Sequence, residues 1–127
     1  MDEEIRNAYQ KYAQQLLHRA LEYLKQLEEE KDRLSGEKAE ELLYEAMMCG
    51  DREERRDAAY CLGTLYRDFF PSPPDRKRAL YFFYQSYLWG GVKSKQEFDR
   101  LREKYKIHIS ESELRMRKTD NTLGNVR

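Results

Sequence analysis

The side chains with catalytic or metal-binding chemistry are few and scattered. The chain of 127 residues holds two histidines, His18 and His108, and two cysteines, Cys49 and Cys61. Two thiols and one imidazole make an incomplete zinc set, and the close ligand spacing of structural zinc sites is absent. Cys49 and Cys61 fall on neighbouring predicted helices, so a disulfide is geometrically conceivable. Without a secretory signal, two such cysteines read as reduced core residues. The acidic pairs Glu40-Glu41 and Glu53-Glu54 lie on predicted outer helix faces, whereas paired catalytic carboxylates need a cleft. No glycine-rich phosphate loop, nucleophile elbow or HExxH motif occurs. The expectation is a protein that is not an enzyme, with no catalytic residue, no metal and no cofactor.

Charge points the same way. Formal net charge is +0, so no bulk field favours nucleic acid. Lys93 to Lys106 carries a local net of +3, with Phe98 and Tyr105 interleaved. Both aromatics fall on an apolar stripe, which makes them core rather than base-stacking platforms, and nucleic-acid binding is not expected. Residues 1–57 hold 16 acidic and 10 basic side chains, and residues 58–127 hold 8 acidic and 14 basic. Two solvated faces account for that asymmetry, and head-to-tail self-association is the sharper alternative. No N-terminal stretch combines a basic segment with an apolar run, and Ala79 to Trp89 is too short to span a bilayer. A cytoplasmic protein with no membrane partner is expected.

The elements that carry these residues read as helices. Ile5, Ala8, Tyr9, Tyr12, Ala13, Leu16, Leu17, Ala20, Leu21, Leu24 and Leu27 follow three-and-four spacing, predicting a helix from about Glu3 to Glu30. Ser35 offers a cap for a second helix that stops at Gly50, with Ala39, Leu42, Leu43, Ala46 and Met47 inward. A third runs from about Glu53 to Phe69, and Pro71-Ser72-Pro73-Pro74 cannot continue it. Asp75 caps a fourth, which reaches Trp89. Six of its last nine residues, Tyr81 to Trp89, are aromatic, so it must be covered on more than one side. A fifth follows the capping-box pattern Ser94-Lys95-Gln96-Glu97, with Phe98, Leu101 and Tyr105 inward. Ser110-Glu111-Ser112-Glu113 repeats that pattern before a segment ending near Lys118. Residues 119–127 have no apolar period and read as a disordered tail.

Two of these helices are related by a period of 40 residues. Ser35 to Ala39 and the following Gly50 recur as Asp75 to Ala79 and the following Gly90. A fixed period of this size signifies stacked helical hairpins. Ala59-Tyr60-Cys61-Leu62-Gly63-Thr64-Leu65-Tyr66, followed by Asp75, Ala79, Tyr84 and Gly90, resembles a Sel-one-like repeat, a relative of the tetratricopeptide repeat. Gly63, Ala59 and Ala79 allow close helix approach, and Gly50 and Gly90 are expected to supply left-handed helix ends. The earlier unit is degenerate. It matches through Ala39, Tyr44, Ala46 and Gly50, but Lys25 stands where glycine is expected, so that helix pair is expected to splay.

The resemblance implies an all-α fold, a short right-handed α-solenoid of two stacked hairpins with a C-terminal capping helix. A single domain would cover residues 1–118, with repeats at about 19–50 and 57–91 and capping helices at about 94–118. In this repeat class the first helix of each pair lines the concave face. Carried over by position, that face would show Arg19, Glu22, Gln26 and Glu29, then Asp57, Tyr60, Thr64 and Arg67. An exposed tyrosine beside an arginine is hot-spot chemistry for binding another protein. Tyr60 packing on the next helix is the plainer alternative. The expected function is a protein–protein interaction module: an adaptor, an inhibitor or an immunity-type partner. A self-assembling structural subunit, a homo-oligomer, is the alternative.

Overall fold

The computed structural model describes residues 2–69 and 74–114. Within them the chain is α-helical, with no strand. Five helices follow one another: α1 Glu3–Glu30, α2 Arg33–Cys49, α3 Arg52–Asp68, α4 Arg76–Leu88 and α5 Val92–Lys104. A helical turn at 111–114 closes the described chain. The predicted disordered tail, most of the proline stop and the end of the last segment lie outside the described residues.

Local chemistry sets each boundary. Asp32, rather than Ser35, caps α2 by accepting from the Leu34 amide at 3.1 Å. Ser35 is buried one turn later, its hydroxyl bonded to Gln26 and Asp32. Asp51 and Glu54 form a reciprocal capping box at the start of α3. Asp75 caps α4 through the Arg78 amide, as expected. The box expected at Ser94 and Glu97 does not form. The N-cap of α5 falls three residues earlier, at Gly91, with no side-chain cap, and the Ser94 hydroxyl turns inward to Ser86 at 2.6 Å while Glu97 turns to Arg67. Ser110 and Glu113 do form their box around the last turn.

Packing is densest between α1 and α2 and between α3 and α4, and α2·α3 and α4·α5 join these pairs. Lys25 is exposed and lies outside the seam, so the splay expected from it does not occur. Gln10 and Gln14 meet Glu54, and Lys31 lies over Phe69, so α1 and α3 run in the same direction. Lys93 over Tyr60 and Glu97 on Arg67 give α3 and α5 that relation too.

The core runs through all five helices. Leu16, Leu43, Leu62, Leu65, Tyr66, Leu80, Phe82 and Phe83 are its largest closed apolar side chains. α4 buries every residue from Ala79 to Phe83, as its aromatic run requires. A Cβ on Gly63 would stand 2.7 Å from the Phe83 ring, so the expected close approach at that glycine is real. Gly90 has a φ of 100°, the left-handed helix end. Gly50 departs from expectation with a φ of −81°. Its constraint is space, because a Cβ there would fall 2.4 Å from the Glu54 Cβ. The first turns of α1 depart as well. Ile5, Tyr9 and Tyr12 are exposed, and the Tyr12 hydroxyl donates to Glu45 on α2 at 2.7 Å.

Candidate functional site

The eight candidate residues divide into two stripes with different environments. Arg19, Glu22, Gln26 and Glu29 sit on α1 at three-and-four spacing, and all four are exposed. Glu22 lies 3.7 Å from His18, and Gln26 accepts from Ser35. On α3, Asp57 is exposed and pairs with Arg56 at 3.0 Å. Tyr60 packs on the next helix, its ring centroid 5.6 Å from that of Phe83 and the Lys93 ammonium 5.5 Å away. The Thr64 hydroxyl donates to the Tyr60 carbonyl at 3.1 Å. Arg67 pairs with Glu97 at 2.6 Å and Asp68 at 2.8 Å, above the Phe83 ring. The hydrogen bond to Asp68, before any other influence, raises its basicity further.

The α3 stripe therefore holds α5 in place as well as facing outward. Glu97 is buried between Arg67 and Arg100 and clasps α5 to α3. Asp57 and Tyr60 still border a shallow depression with Gly90, Gly91, Val92 and Lys93. Among the described residues, no hydrogen bond or ion pair joins the α1 stripe to the α3 stripe.

A second surface lies at the edge where the α2–α3 turn meets the ends of α1 and α4. Arg6, Tyr9, Met48, Cys49, Gly50, Asp51 and Arg55 border a depression of about 620 Å³. Asp51 and Arg55 also border its neighbour, with Arg52, Leu88 and Trp89. Ile5 lies one turn before Tyr9. Ile5, Tyr9, Met48 and Leu88 are 47–60% exposed, which is high for side chains of this size. Arg6 binds Asp51 at 2.8 Å, and that hydrogen bond holds the Asp51 carboxyl below the usual carboxylate range. The Arg55 Nε donates to the Gly50 carbonyl at 2.9 Å, and its guanidinium sits 4.8 Å from the Trp89 ring centre. The Arg52 Nε donates to the Trp89 carbonyl at 3.3 Å.

Sequence reasoning missed this edge because helical spacing assigned Ile5 and Tyr9 to the core. Helical spacing carries no signal for it, because the first turns of α1 lie beside the end of α2 and the α2–α3 turn, where Arg6 meets Asp51 and Tyr12 meets Glu45. Two carboxylates assigned to solvated faces also belong elsewhere. Glu54 is buried, accepting from the Asp51 amide and from Gln10 and Gln14. Glu40 accepts from the Tyr66 hydroxyl.

The remaining chemistry is quiet. Burial pushes the Cys61 thiol up to about 11 and raises that of Cys49, so both favour the unreactive protonated form. Both cysteines are free. His18 is exposed. Among the described residues, no group of three or more histidine, cysteine or acidic side chains is placed to hold a metal ion. None of the helices described is long and apolar enough to cross a membrane. No protein-family model, curated protein or solved structure matches this chain.

Proposed function

We propose that this protein is a small protein-binding module built as a short right-handed α-solenoid of Sel-one-like type, acting as an adaptor, an inhibitor or an immunity-type partner. The observation that carries the proposal is the edge of Tyr9, Met48, Leu88 and Trp89. Large apolar side chains gathered on one surface and bordered by arginines are the composition of a recognition patch. The stacked arrangement is supported by α1 and α3 running in the same direction, joined by the Gln14–Glu54 hydrogen bond.

Affinity capture from the native cell extract tests this reading. Wild type is compared with Tyr9→Ala/Met48→Ala at the edge and with Arg19→Glu/Glu22→Lys on α1. A partner protein lost from the edge variant alone supports a module that binds there. Loss from the α1 variant alone supports the module and moves its surface to the first stripe. Recovery of nothing but this chain overturns it.

Self-assembly is the second reading, favoured by the acidic first half and basic second half of the chain. Light scattering after size exclusion, at low and high salt, separates the two. A salt-sensitive oligomer supports self-assembly, and a salt-insensitive monomer removes it.

A further inference from the structure

The edge holds two arginines that no carboxylate pairs with among the described residues, although the Arg55 guanidinium also lies over the Trp89 ring. Arg52 and Arg55 each spend the Nε on a backbone carbonyl, Trp89 and Gly50 respectively, which fixes the guanidinium plane. The nearby acids are committed elsewhere: Asp51 to Arg6, and Glu54 to its capping box and two glutamines. Arg6 and Asp51 pair, the buried Glu54 carboxylate is bonded only to neutral donors, and in front of it Arg52 and Arg55 face outward as two unpaired guanidinium groups. Apolar surface flanks them on both sides, Tyr9 and Met48 on one and Leu88 and Trp89 on the other.

We infer that this edge recognises an acidic side chain of a partner segment, an Asp or Glu with apolar side chains before and after it. The inference rests on the protein-binding reading above. Fixed guanidinium groups are natural hydrogen-bond donors to a planar carboxylate. Pre-set orientation lowers the ordering entropy of binding. A chain terminus would end at the arginines and leave one apolar flank uncovered. A segment passing across the turn covers both, so the carboxylate is that of a side chain rather than a C-terminus.

The test pans the full chain against a phage library of short random peptides, then measures binding of the synthetic consensus peptide by fluorescence polarisation. The expected consensus places Asp or Glu between apolar residues. Replacing that acid by its amide should weaken binding to the wild-type protein by at least about tenfold. Arg52→Gln and Arg55→Gln should each weaken the acidic peptide while leaving the amide peptide nearly unchanged. Because the amide comparison uses unaltered protein, it stands even where a variant folds poorly.

A consensus without an acid, or equal binding of acid and amide, overturns the inference. So does affinity that depends only on a free C-terminus, or failure to enrich any peptide. Peptides insensitive to both arginines but lost in Asp57→Ala or Arg19→Ala also overturn it, while leaving the protein-binding reading intact. A dimer of this chain that dissociates on Arg55→Glu would assign the edge to a second copy and overturn both.

Discussion

The hydroxyl of Tyr66 on α3 donates its hydrogen bond to the carboxylate of Glu40 on α2. The hydroxyl of Tyr44 lies 3.2 Å from that of Tyr66, and the Tyr66 ring stacks on Phe82 with centroids 5.6 Å apart. One fully buried tyrosine thus connects α2, α3 and α4. It bridges the boundary between the first helix pair and the second.

Tyr66→Phe keeps the stacked ring and removes the donor. It should lower unfolding free energy by about 1–2 kcal/mol, and Tyr66→Ala by about 3–5 kcal/mol. Urea denaturation followed by circular dichroism measures both. An unchanged midpoint for Tyr66→Phe would show that the hydroxyl contributes nothing across the boundary.

Gly63→Ala places a methyl 2.7 Å from the Phe83 ring, so either that buried ring or the two helices must shift. The expected loss is about 1–3 kcal/mol, in spite of alanine's better helix propensity. Lys25→Gly, at the exposed position that aligns with Gly63, should give only the ordinary helix-propensity loss of about 1 kcal/mol. Equal effects at the two sites would contradict the packing described for the seam.

Glu97 is buried beneath Arg67, and Glu97→Ala leaves that partly buried guanidinium without its α5 partner. A loss of about 2 kcal/mol is expected, with faster hydrogen exchange in α5 than elsewhere. Deleting residues 94–127 removes Phe98 and Leu101 from the core. The shortened chain should bind a hydrophobic dye and aggregate. A soluble truncation with unchanged melting would show that α5 does not act as a cap.

Stability should fall at alkaline pH. Burial raises the folded thiol of Cys61 from an ordinary 9.0 to about 11. The unfolded chain therefore releases this proton first, and the contribution present below about pH 9 is lost as pH rises through about 11. Burial, then Tyr44 and the bond to Glu40, also raises the Tyr66 phenol, with loss beginning above its ordinary 10.0. Cys61→Ala should flatten the earlier part of the decline in a urea series against pH. A wild-type profile flat to about pH 11 would contradict both burials.

The helices were legible because apolar spacing and caps act locally. α1 falls at the predicted Glu3–Glu30, and α4 starts after its predicted cap Asp75. Their starts were misread where a side chain had a better distant partner. Ser94 has Ser86, eight residues back, and Glu97 has Arg67, thirty residues back. Buried Glu54 was illegible for the same reason, since its partners Gln10 and Gln14 lie 44 and 40 residues back. The α3 stripe was placed on the right helix, but the sequence could not say that Tyr60 and Arg67 would serve α5. The edge depends on how the first turns of α1 sit against the α2–α3 turn, a relation between elements rather than between neighbours in sequence.

Binding of a protein segment across the α2–α3 edge, as proposed, would place that segment on Tyr9, Met48, Leu88 and Trp89. Amide chemical-shift mapping of the isotope-labelled full chain, titrated with the selected consensus peptide, tests it most directly. The account predicts shifts concentrated at Tyr9, Met48, Arg52, Arg55, Leu88 and Trp89. Shifts confined to the Arg19–Glu29 face or to α5, with those six residues unmoved, would contradict it.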